Sequence, residues 1–140
     1  MSGLLQLYSL CVLVLFMKML AISCYQGYLR IRYRAFANTE DAAFVGRAAR
    51  AQDLPQVRRA GQAWANDLEN IPLFFVLGAL AVVLRTPDEL TGLLFCIFTA
   101  ARAAHTLAYL GGWQPWRTLA YGAGLACLLA LAAMIGQALL

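Results

Sequence analysis

The sequence predicts an all-α integral membrane protein, a four-helix bundle formed by a single domain covering residues 1–140. Hydrophobic residues make up 62% of the chain and charged residues only 13%, against roughly 25% charged in a soluble domain. The apolar residues gather in four runs, at 4–29, about 66–84, 90–112 and 118–140, and a spanning helix needs roughly 20 residues. Charge is placed asymmetrically. Arg30, Arg32, Arg34, Arg47, Arg50, Arg58 and Arg59 lie in or beside the first loop, the next loop holds only Arg85, and both termini lack charged side chains. By the positive-inside rule the first and third loops are cytoplasmic and both termini lie outside. The expected helices cover about 4–34, 58–85, 88–111 and 115–139, with the cytoplasmic loop at about 35–57. Such a protein belongs in a bacterial inner membrane or, in a eukaryote, the endoplasmic reticulum.

The first run does not read as a signal peptide. It lacks a basic start, exceeds the length of an h-region and carries Lys18 inside it. A lysine that deep is too far from either surface for easy snorkelling, so a carboxylate of the second helix is its expected partner. In the first loop, Asn38-Thr39-Glu40-Asp41 is a helix start with Asn38 as cap. Asp41 is either the third residue of that helix or a functional group. Asp53-Leu54-Pro55 opens the approach to the second helix.

The second helix has a 14-residue apolar run, 71–84, so crossing the bilayer brings Asp67 and Glu69 to its inner boundary. Carboxylates there are costly and face protein or a wet cavity. Asn66, Glu69 and Asn70 share a face by their spacing. Thr86-Pro87-Asp88-Glu89 reads as a Thr cap with Pro at the first helical position and Glu at the third. The third helix then carries Arg102, His105 and Tyr109 on one stripe. Trp113 and Trp116 suit the membrane interface, and Pro115 is expected at the first position of the fourth helix. Arg117 therefore falls in an opening turn whose dipole disfavours a cation, an arrangement that suits an anion. Cys11, Cys24, Cys96 and Cys127 lie in apolar runs without C-x-x-C spacing and read as small buried hydrophobes.

With this topology the unusual polar residues gather at one depth on the cytoplasmic half: 30–34, 66–70, 102–109 and 117–121. That describes a membrane-embedded pocket of cations, carboxylates, amides and phenols, suited to a small zwitterion with extra carboxylates. The single His and the absence of a ligand cluster leave no expected metal site. The arginines flank spans and follow the positive-inside bias, so no nucleic-acid partner is expected. The outer half offers no polar path, which argues against a transporter or channel.

These residues also carry a resemblance. Arg30-x-Arg32 followed by AFANTED (35–41), NDLENI (66–71), RAAHTLAYLG (102–111) and Pro115-Trp116-Arg117 with Tyr121 resemble the MAPEG family, the membrane-associated proteins in eicosanoid and glutathione metabolism. The likeness is strongest to its microsomal glutathione transferase and prostaglandin E synthase branches. It implies a homotrimer of four-helix protomers, twelve spanning helices in all, with glutathione as cosubstrate bound between neighbours. By position it implies that Arg30, Asn66, Glu69, His105, Tyr109, Arg117 and Tyr121 line the glutathione site. It makes Arg117 the catalytic arginine that holds the sulfur as thiolate, with Thr118 and Asp41 as further catalytic candidates. The family usually has Arg-Ala-His before the asparagine, where this chain has Gln62, Ala63 and Trp64, so one basic clamp is neutral.

The function this implies is a detoxifying glutathione transferase that conjugates hydrophobic electrophiles drawn from membrane lipid, with peroxidase activity toward lipid hydroperoxides as an extension. The alternatives are a non-catalytic lipid-binding or scaffold protein of the same superfamily and a glutathione-dependent eicosanoid synthase or isomerase of prostaglandin E type.

Overall fold

The structure, a computed structural model, describes residues 3–140. It contains five helices: α1 (Gly3–Tyr33), α2 (Thr39–Phe44), α3 (Pro55–Val83), α4 (Asp88–Gly111) and α5 (Trp116–Ala138). All except α2 are long and apolar enough to cross a membrane. Helix α1 packs on α3 and α4, α5 packs on the same two, and α3 touches α4. Helices α1 and α5 therefore lie on opposite sides of an α3–α4 pair.

Aromatic packing fills the half of the core away from the charged residues. Phe74 and Phe98 stack with ring centres 4.4 Å apart, Phe95 meets Phe74 edge-on at 5.5 Å, and Tyr8 closes the group at 5.4 Å from Phe95. The Tyr8 hydroxyl donates to the Phe75 carbonyl at 2.6 Å, which satisfies the one polar atom that ring brings inside. Gly78 makes this approach possible, since a Cβ there would stand 2.5 Å from the Tyr8 ring.

Helix α1 buries a single stripe, Leu4, Cys11, Leu15, Ile22 and Leu29, and leaves Leu13, Phe16 and Met17 exposed. A helix apolar on all sides but buried on one is built for a nonpolar surround. This also corrects the reading of the cysteines. Cys11 and Cys127 are buried, whereas Cys24 and Cys96 are exposed, because outward faces of these helices are apolar too.

The helix ends follow local chemistry, with departures at the starts of α4 and α5. Asn38 caps α2 by accepting from the Glu40 N–H at 3.0 Å. Thr86, expected to cap α4, is instead buried, and its hydroxyl bonds the Ala81 carbonyl at 3.2 Å and the Thr91 hydroxyl at 2.8 Å. The cause is the turn that ends α3. Arg85 takes a left-handed φ of 53°, and the Thr86 N–H returns to the Ala81 carbonyl, folding Thr86 back under the helix. Pro115 likewise stands one place earlier than expected, at the cap of α5. Helix α4 ends on Gly112 at φ 70°, where a Cβ would lie 3.0 Å from the Arg59 guanidinium.

Candidate functional site

Three charged side chains from three helices meet inside the bundle. Asp67 of α3 lies on the stripe of Ala63, Ile71 and Phe74, four residues from the first two and seven from the third, so it is carried inward and is 0% exposed. One of its carboxylate oxygens accepts from Lys18 of α1 and the other from Arg102 of α4, both at 2.5 Å. The partner of Lys18 is therefore a carboxylate of the second spanning helix, as its depth demands. Two cations share one carboxylate, and Arg102 keeps Nε and Nη1 without a partner. The guanidinium also donates to Asn66 Oδ1 at 2.8 Å.

Asn66 borders a pocket of about 280 Å³ that it shares with His105, Tyr109, Arg117, Thr118 and Tyr121. Helical spacing explains the grouping: His105 and Tyr109 are four apart on α4, and Arg117 and Tyr121 are four apart on α5. The Arg117 guanidinium carbon stands 4.6 Å over the Tyr109 ring, within range of a cation–π contact. The His105 ring meets Tyr109 edge-on at 5.6 Å and lies 6.3 Å from Tyr121. One orientation of the Gln114 amide satisfies both of its neighbours. Its oxygen then accepts from Arg117 at 2.6 and 3.1 Å, and its NH2 group faces Thr118 Oγ1 at 3.1 Å. Arg117 is thus held between an aromatic face and an amide oxygen, with no carboxylate pairing it among the described residues. Its backbone N–H is bonded to the Trp113 carbonyl, so an anion at this helix start meets the guanidinium rather than that amide.

The other expected site residues lie elsewhere in the chain. Arg30 turns to the loop, where Nε and Nη2 bond the two Asp53 oxygens at 3.1 and 2.7 Å. Asp41 lines a separate cavity with Arg30, Asn38 and Asp53. Glu69 is exposed on the outside of α3. Asn66, Glu69 and Asn70 lie within one continuous helix, so their spacing does put them on one face, but that face runs from buried Asn70 through half-buried Asn66 to exposed Glu69. Among the described residues the buried carboxylate is Asp67. The stripe of small and apolar residues around it is the signal that marks it. Gln62, where the resemblance has a basic residue, accepts at 3.4 Å from the hydroxyl of Tyr109, a residue that lines the pocket.

Comparison with known proteins identifies the family. The sequence matches the MAPEG family over residues 8–137. It is 38% identical to prostaglandin E synthase of Equus caballus over 113 residues, 80% of this chain and 74% of that protein. Human prostaglandin E synthase (Homo sapiens) is 36% identical over the same shares, 80% and 74%. Microsomal glutathione S-transferase 1 of Mus musculus is 38% identical over 125 residues, 85% of this chain and 80% of that protein.

Proposed function

This chain belongs to the MAPEG family, and from that premise we propose that it is a membrane-bound glutathione transferase acting on hydrophobic electrophiles. The observation that carries the reading is Arg117, poised over Tyr109 without a carboxylate partner in the pocket of Asn66, His105, Thr118 and Tyr121. A thiolate, not a thiol, is the nucleophile, and an adjacent guanidinium favours the ionised form. The thiol proton leaves for solvent, the sulfur attacks the electrophilic carbon, and the S–C bond forms as the leaving group departs with its electron pair. The electrophile arrives through the bilayer, which the four apolar helices and the family membership make the protein's surround.

The active form is a homotrimer in this proposal, with glutathione held between protomers. A pocket of about 280 Å³ is at the lower limit of ligand sites, roughly 300–1,000 Å³, and too small for a tripeptide with a lipid-like substrate. Glu69 and Arg30 lie outside that pocket, and a neighbouring protomer is the means of bringing such residues to it. Asp41 and Thr118 are assigned supporting roles: Thr118 borders the pocket, and Asp41 faces the Arg30 cavity. The pocket opens to the cytosol if the arginine-rich loop is cytoplasmic.

A second reading has its own support. Several relatives at 35–38% identity are prostaglandin E synthases, so an isomerase acting on a lipid endoperoxide would use the same thiolate. The test is conjugation of glutathione to an activated aryl halide by detergent-purified protein, beside turnover of a lipid endoperoxide. Conjugation above the solvent rate is expected. Loss of both activities in correctly folded protein would leave a lipid-binding or scaffold role.

A further inference from the structure

Among the described residues, Asn66 is the pocket residue hydrogen-bonded to the buried ion cluster. Arg102 is 0% exposed and its guanidinium has only donors. The Asn66 atom 2.8 Å from Nη2 is therefore the amide oxygen on chemical grounds alone. Arg102 cannot swing away, because the same Nη2 is held by Asp67, and Asp67 is held in turn by Lys18. The Asn66 NH2 group makes no hydrogen bond of its own among the described residues, although its residue lines the pocket.

We propose that Arg102 and Asp67 are positioning residues which lock the Asn66 amide with its oxygen inward, so that Asn66 meets the pocket's ligand only as a hydrogen-bond donor to a carbonyl or carboxylate oxygen. A freely turning asparagine could serve either a donor or an acceptor. This one is denied the second role, because turning it would set its NH2 group against a buried guanidinium. A chain of charge-assisted bonds from Lys18 on α1 through Asp67 to Arg102 thus ends in a single choice of polarity at the site. The proposal relies on the glutathione reading only for the identity of the ligand.

The test uses the purified full chain, with glutathione Kd from calorimetry and thermal midpoint measured on Arg102→Gln, Asn66→Ala, Asn66→Asp and the Arg102→Gln/Asn66→Ala double variant. Arg102→Gln leaves Asp67 paired with Lys18, so folding survives. It should weaken glutathione about tenfold, the effect of a lost charge-assisted bond, and should weaken it no further when Asn66 is already alanine. Additive losses would assign Arg102 a general structural role and overturn the proposal. Asn66→Asp keeps an acceptor for Arg102 and removes the donor. It should weaken glutathione while raising the thermal midpoint, since its charge balances the second cation. Tighter binding, or a midpoint below that of Asn66→Ala, would overturn the orientation. If the parent protein binds no glutathione, the ligand reading fails, and the midpoint comparison alone decides the orientation.

Discussion

The guanidinium of Arg117 lies 4.6 Å above the ring of Tyr109, one turn of α4 beyond His105. The aromatic face attracts the cation without neutralising it. Arg117 therefore retains its full charge for an anion, and Arg117→Ala should lower conjugation turnover about a hundredfold, in the range for loss of one electrostatic donor. Glutathione affinity should fall less, because the peptide's carboxylates and amine keep other partners. Arg117→Lys should retain part of the rate as a point charge with poorer geometry. Ultraviolet difference absorbance of bound thiolate across pH checks the cause. In the alanine variant the thiolate should form only at higher pH.

Replacing Gln62 with arginine should tighten glutathione. Gln62 already reaches the hydroxyl of Tyr109, a pocket residue, at 3.4 Å, so a longer cationic side chain at this position has the pocket within its reach. A charge-assisted bond to a ligand carboxylate contributes about 1.5–3 kcal/mol, so a drop in Kd of roughly 10- to 100-fold is expected by calorimetry. An unchanged Kd would mean the peptide's carboxylates lie away from α3.

How much of this site was readable in advance varies by residue. Lys18 demanded a carboxylate because a lysine in mid-span has no other inexpensive state, and it has one. Which carboxylate depends on helix phase. Asp67 shares the stripe of Ala63, Ile71 and Phe74, whereas Glu69, two residues on, falls on the exposed side of the same helix. The pocket grouping of His105 with Tyr109, and of Arg117 with Tyr121, follows from four-residue spacing. Thr86 leaves the cap that its position predicts because the preceding turn uses an arginine in the left-handed region, where glycine is the usual marker. Arg30 was expected at the pocket, but nothing in the spacing of α1 disclosed that Asp53 stands within reach of it.

The turn at Arg85 gives a prediction independent of function. A left-handed backbone costs a non-glycine residue about 1–2 kcal/mol, and the Arg85 side chain is exposed. Arg85→Gly should stabilise the protein by up to about 1 kcal/mol once glycine's greater unfolded-state freedom is subtracted. A thermal melt in detergent reads this as a rise in midpoint with activity unchanged.

Topology can be tested directly. The segment 35–54 between α1 and α3 carries exposed Arg47 and Arg50, and the positive-inside rule puts it in the cytosol. Ala48→Cys, in a background where the exposed Cys24 and Cys96 are serine, should react with an impermeant thiol reagent only after sealed vesicles of outward-facing orientation are opened. Labelling in intact vesicles would invert the bundle and place the Arg117 pocket on the outer side.

The ion cluster should respond unequally to loss of its members. Lys18 and Arg102 together carry two positive charges against the one of Asp67. Removing Lys18, as Lys18→Met, leaves Asp67 paired with Arg102 and the cluster neutral, in a side chain of similar length that suits the apolar groove it lines with Ile22 and Leu107. Removing the carboxylate, as Asp67→Asn, leaves two cations facing each other inside the bundle, one of them fully buried. Breaking a buried pair from one side costs about 3–5 kcal/mol, and repulsion between the cations adds to it, so Asp67→Asn should lose most of its folded population in detergent. Lys18→Met should stay within about 1 kcal/mol of the parent, because replacing a buried charge by a packed apolar group is often neutral or stabilising. Unfolding midpoints of the two variants, measured side by side, check the asymmetry. Equal losses would mean that the second cation is balanced by an anion supplied from beyond this chain, for which a neighbouring protomer's exposed Glu69 would be the first residue to replace.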